Sequence, residues 1–255
     1  MLIIRNEQKK QLGQVAAKGF EDELVEHLKD FAPRHWEALG PDGVRNVARL
    51  GIERAETYGL TNRGPARFYV EMMFLFGSDF DTDPQYPWAG WILTGTWISD
   101  QMTRADQLHE RTMDYFEKAS GPDNQYAIDA MRKGAELRPE EVEIPGGSYR
   151  SVALAEMKRI YPQKCEYCGE PSLRALIQRG IRIARRYSVT EDRDVLVFLA
   201  LMFALGHGFA TDPLFPWAAS ALKDDPRTDP HQRVEHLQAR ATAYLREALA
   251  PLKQR

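Results

Sequence analysis

The sequence predicts an all-α protein made of two tandem-duplicated helical lobes related by pseudo-symmetry, and three observations carry that prediction. The stretch Phe76-Gly77-Ser78-Asp79-Phe80-Asp81-Thr82-Asp83-Pro84-Gln85-Tyr86-Pro87-Trp88-Ala89 returns, 129 positions on and without a gap, as Leu205-Gly206-His207-Gly208-Phe209-Ala210-Thr211-Asp212-Pro213-Leu214-Phe215-Pro216-Trp217-Ala218. The same offset pairs Pro33 with Pro162, Gly51-Ile52 with Gly180-Ile181, Tyr58 with Tyr187, and Arg104, Leu108 and Tyr115 with Arg233, Leu237 and Tyr244, so one register covers residues 20–119 and 149–248. Within each copy apolar residues recur at spacings of three and four, and nothing alternates with period two over a useful length. A period of this size belongs to a small domain rather than to a solenoid unit of about 20 to 50 residues. The predicted organisation is a first lobe at 1–119, a linker at 120–148 and a second lobe at 149–255.

The first helix is expected over residues 21–30, with Leu24, Val25, Leu28 and Phe31 on one stripe, and its counterpart over 149–161; Pro33 and Pro162 end them. The second carries Val44, Val47, Ala48, Gly51, Ile52, Ala55 and Tyr58 on one face, with Asp42 as N-cap and Gly59 just past its end. Glycine inside a helix costs about 1 kcal/mol against alanine, so Gly51 and Gly180 predict another helix crossing close by. The third, over 67–76 and 195–205, is apolar almost all round and is expected at the centre, stopped by Gly77 and Gly206. In the shared loop Asp83-Pro84 and Asp212-Pro213 look like an N-cap followed by N1, while Trp88 and Trp217 would lock the loop onto the core. A last helix carries Leu108, Arg111 and Tyr115, or Leu237, Arg240 and Tyr244, and the linker has room for an extra helix at 126–137.

Composition excludes several functions. Hydrophobic residues at 43%, charged residues at 28% and a formal net charge of -3 describe an ordinary globular chain without a field for nucleic acid or a polybasic membrane surface. No apolar run approaches the roughly 20 residues that span a bilayer, and the opening meets charge too early for a secretory signal, so a cytoplasmic location is expected. Cys165 and Cys168 supply half a zinc site without a second half, and they match Trp36 and Leu39 in the first copy, which fits an inert loop pair. Asp79-x-Asp81-x-Asp83 imitates the start of a calcium loop, but Pro84 and Gly90 stand where glycine and the closing acid are needed. His207 is expected to be a solvated turn residue, and the other histidines fall on helix faces that do not coincide. Arg45, Arg104, Arg111 and their counterparts are expected to pair internally with Asp83 or Asp212. No phosphate loop, nucleophile elbow or metalloprotease motif is present, so no catalytic residue, cofactor or metal is assigned.

Whatever both copies keep, Gly77, Phe80, Asp83, Pro84 and Trp88 with Gly206, Phe209, Asp212, Pro213 and Trp217, is best explained as framework. Function is expected where they disagree: the opening from Met1 to Gln8 with Arg5 and Gln8, the segment from Trp91 to Ile98 with Trp91, Trp97 and Ile98 against Lys223 to Pro230, and the linker. Taken together, the opening Met1, Ile4, Arg5 and Gln8, the helix end Gly59-Leu60-Thr61 and the Asp-Pro-x-x-Pro-Trp-Ala loop resemble small helical bacterial proteins encoded beside type VI secretion genes. That resemblance implies a non-enzymatic protein that binds an effector or its adaptor, as an accessory chaperone or co-adaptor, or else an immunity protein. An enzyme with a site between the lobes is the remaining alternative.

Overall fold

Proline and glycine punctuate this chain, and the helices run between them. The computed structural model describes residues 5–98, 100–144, 149–223 and 228–253. Among these residues there is no strand; the helices are α1 (Asn6–Phe31), α2 (Pro33–Thr57), α3 (Arg63–Phe76), α4 (Pro87–Thr94), α5 (Gln101–Tyr115), α6 (Gln125–Ala135), α7 (Tyr149–Ile160), α8 (Pro162–Cys168), α9 (Glu170–Arg186), α10 (Asp192–Leu205), α11 (Pro216–Ala221) and α12 (Pro230–Leu249). The bounds of α3 and α10 differ by the sequence offset, and Pro33, Pro87, Pro162 and Pro216 each occupy a first helical position. Proline suits that position because its missing N–H has no intrahelical partner there.

Two local expectations need correction. Asp42 is not an N-cap: the helix breaks earlier, at Gly40, whose φ of 67° lies in the left-handed region. Gly169, at the matching position with φ 76°, makes the same break between α8 and α9. Nor do Asp83 and Asp212 cap α4 and α11, since Tyr86 and Phe215 hold those positions. The extra helix in the linker does form, as α6, and it packs against α12.

Buried side chains run as one connected core through both halves, with Tyr69, Phe80, Phe198 and Phe209 among the largest fully enclosed. The close crossings predicted by the two helical glycines are present. A Cβ on Gly51 would stand 2.6 Å from Val70 Cγ2 and 2.8 Å from Met73 Sδ of α3, and one on Gly180 would meet Leu199 and Met202 of α10. Each glycine is therefore the space that lets a neighbouring helix approach.

Candidate functional site

The duplicated loop is a clasp between the halves. Asp83 accepts from the amide of Gln85 at 2.8 Å with one oxygen and from the amide of His207 at 2.8 Å with the other. Asp212 does the same in mirror order, accepting from Leu214 N at 2.9 Å and Ser78 N at 2.8 Å, with the Ser78 hydroxyl adding a third bond at 2.6 Å. Both carboxylates are buried, and each closes its own turn while binding the turn of the other half. Gly77 and Gly206 face each other here, with φ of 95° and 97°. A Cβ on Gly77 would lie 2.8 Å from the Leu205 carbonyl oxygen, and one on Gly206 would lie 2.9 Å from that of Phe76.

This geometry overturns the arginine assignment. Arg45 pairs with Glu21 and Asp22 at 2.6 Å each, and Arg174 pairs with Glu170 at 2.6 Å. Arg104 donates to the carbonyls of Tyr58 and Leu93, and Arg233 to that of Tyr187 at 3.0 Å, so these two tie down helix ends rather than the loop aspartates. His207 is also not a solvated turn residue. Its half-buried ring places Nε2 3.1 Å from both the Thr82 hydroxyl and the Asp79 carbonyl oxygen, so the second half grips the first.

Beside the clasp, the first half alone carries a polar knot. Tyr58 and Tyr69 both donate to Asp81 Oδ2, at 2.8 and 2.9 Å, and Arg54 pairs with Asp79 at 2.7 Å. Burial and the adjacent carboxylate push both phenols well above their ordinary range, so they remain donors. At the matching positions the second half has Tyr187, Phe198, Ala210, Ile183 and Gly208.

Lys164 carries no local signal of its role. This lysine is 3% exposed, donates to the Phe203 carbonyl at 2.6 Å, and stands 4.6 Å from the Phe203 ring centre and 5.6 Å from that of Tyr86. Desolvation lowers its pKa. Its counterpart His35 meets Phe74 edge-on at 5.4 Å and Phe215 at 6.1 Å, and burial pushes it down to about 4. Only the offset, which aligns Lys164 with His35 and Tyr86 with Phe215, could have flagged the pair. Cys165 and Cys168 lie on α8 rather than in a loop; burial raises the first to about 12 and the second to about 11, so both are thiols at neutral pH.

The segment unique to the first half divides between core and solvent. Ile98 is 8% exposed and packs inward, which removes it from the partner-binding candidates. Trp91 and Trp97 are each 59% exposed, with ring centres 4.9 Å apart and planes at 50°. The Trp97 ring lies over Gly95, where a Cβ would meet it at 2.6 Å. Arg5 is exposed, and the side chain of Gln8 lies outside the described residues, as do Met1 and Ile4. At the start of α5, Asp100 accepts from the Thr103 amide at 2.7 Å, and that bond and the Thr103 hydroxyl hold its pKa low.

A groove of about 670 Å³ opens between α6, residues 136–143 and α7, lined by side chains of both signs that include Lys133, Arg138, Glu141 and Arg159. Among the described residues no group of three or more His, Cys, Asp or Glu side chains is placed to hold a metal ion, and no helix is long and apolar enough to cross a membrane. No protein-family model matches the chain, and no curated protein or solved structure shows significant similarity to it.

Proposed function

We propose that this chain is a non-catalytic partner-binding protein, acting in the bacterial cytoplasm as an accessory chaperone or co-adaptor for a type VI secretion effector. The observation that carries the binding role is the Trp91–Trp97 pair, two large exposed apolar side chains in contact with their planes at 50°, on a segment where the other half has no tryptophans. Tryptophan is enriched among residues that dominate binding energy because it brings much apolar area at small entropic cost. Replacing Trp91 by Ser and Trp97 by Pro, the residues at the matching positions, would erase that area. The secretion role rests on the resemblance of Met1, Ile4, Arg5, Gln8 and the Asp-Pro-x-x-Pro-Trp-Ala loop.

The test is co-purification of the tagged protein with the products of the neighbouring effector and adaptor genes, comparing wild type with Trp91→Ala/Trp97→Ala. The expected result is a stable complex that the double variant loses while keeping its melting temperature, together with failed effector delivery and healthy sibling cells on gene deletion. Deletion that instead sensitises the cells to the neighbouring toxin makes the protein its immunity partner. Equal recovery of the complex with the double variant rejects the tryptophans as the binding surface.

A further inference from the structure

The outer face of α5, the helix that follows the tryptophan segment along the chain, also carries exposed apolar side chains. Its inner face buries Ala105, Leu108, Thr112 and Tyr115. On the outer side, Met102, Asp106, Glu110 and Met113 follow at spacings of four, four and three, which places them within about 80° of arc. Met102 is 47% exposed and Met113 52%, and both acids are exposed. Four of the large exposed apolar side chains among the described residues, Trp91, Trp97, Met102 and Met113, therefore sit on one helix–loop–helix.

The charges that face outward with the stripe are acidic. From Trp88 to Glu110 the ionic residues are Asp100, Arg104, Asp106 and Glu110, and Arg104 is turned inward onto the carbonyls of Tyr58 and Leu93. The next cation, Arg111, projects about 140° round the helix from the middle of the stripe. Flexible methionines flanking a pair of acids suit a helix whose own face is apolar and basic, because thioethers repack around it while carboxylates meet its lysines and arginines. Tryptophan faces add attraction for the same cations. An anionic bilayer would be repelled by the same charges. The matching positions on α12 are His231, Glu235, Ala239 and Thr242, so the surface belongs to the first half only.

Resting on the partner-binding reading, we infer that the Trp91–Trp97 pair and the Met102–Asp106–Glu110–Met113 face form one docking surface for a basic amphipathic helix of a partner protein. A tryptophan-free amphipathic peptide of leucine and lysine, about 18 residues or five helical turns, is titrated into the full-length protein while tryptophan emission and heat are followed. The leucine–glutamate peptide of the same length is the comparison. The lysine peptide is expected to bind at least about tenfold more tightly, shift the tryptophan emission, and weaken with added salt. Asp106→Lys/Glu110→Lys is expected to cost about tenfold or more, whereas Glu53→Lys/Glu56→Lys, acids exposed on α2, leaves affinity unchanged. Equal binding of the two peptides, or equal losses from both charge reversals, overturns the inference. If the native complex is lost with Trp91→Ala/Trp97→Ala yet survives Asp106→Lys/Glu110→Lys, partner binding stands and the basic helix does not. Binding to anionic vesicles in preference to the peptide also overturns it.

Discussion

The two copies of the loop follow one backbone path with different chemistry, and the difference separates what holds the halves together from what only one half needs. At the clasp the copies agree: Gly77 and Gly206 share φ near 95°, and Asp83 and Asp212 make matching bonds to the opposite turn. One step away they diverge, with Asp81, Tyr58 and Tyr69 linked in the first half and Ala210, Tyr187 and Phe198 in the second. Phe198 still packs on Phe209 at 5.0 Å, as Tyr69 packs on Phe80 at 4.9 Å. The tilted ring contact is therefore the shared requirement, and the carboxylate with its phenols is an addition made possible by two hydroxyls that keep it paired.

The largest effect should come from breaking the agreement. Gly77→Ala puts a methyl against the Leu205 carbonyl oxygen at a backbone conformation that side chains avoid, and Gly206→Ala does the same against Phe76. Each is expected to lose about 3–5 kcal/mol, from backbone strain plus a clash with a main-chain atom that no rotamer relieves. If the turns act as one interlocked unit, the double variant costs clearly less than the sum of the singles. Urea unfolding of the three variants checks this, and full additivity would mean that the turns strain independently.

The next effect sharpens the divergence. Asp81→Ala leaves the enclosed Tyr69 hydroxyl without its acceptor and is expected to cost about 2–4 kcal/mol. Adding Tyr69→Phe installs the residue pair of the second half and should recover about 1 kcal/mol or more of that loss. A double variant less stable than Asp81→Ala alone would show that the hydroxyl has another use.

Much of the helical framework was legible because it rests on periods of three and four and on proline and glycine positions, which are local. The glycine crossings were legible for the same reason: Gly51 and Gly180 are costly unless a helix is near. The clasp was hidden because Asp83-Pro84 satisfies the local pattern of an N-cap, and only the fold reveals that its second oxygen reaches His207, 124 positions away. Arg104 was misassigned because a guanidinium suits carboxylates and carbonyls equally in sequence. Trp91 and Trp97 stand out in the sequence because the copies disagree there, but their separation from the inward-facing Ile98 depends on where the chain turns after α4.

The smallest effect is a pH response that differs between the halves. His35 and Lys164 occupy matching positions against paired aromatic rings, Phe74 with Phe215 and Phe203 with Tyr86. His35 Nε2 is buried without a hydrogen-bond partner, and its pKa of about 4 lies below the unfolded value of 6.5. The unfolded chain therefore takes up a proton first as pH falls. The stability associated with neutral His35 is complete above about pH 6.5 and is lost between about 6.5 and 4, by about 2 kcal/mol after allowance for partial exposure. His35→Phe should flatten the acid limb of the stability curve between pH 7 and 4 relative to wild type, measured by denaturant midpoints at each pH. An unchanged slope would place the ring in contact with water and sink the assignment.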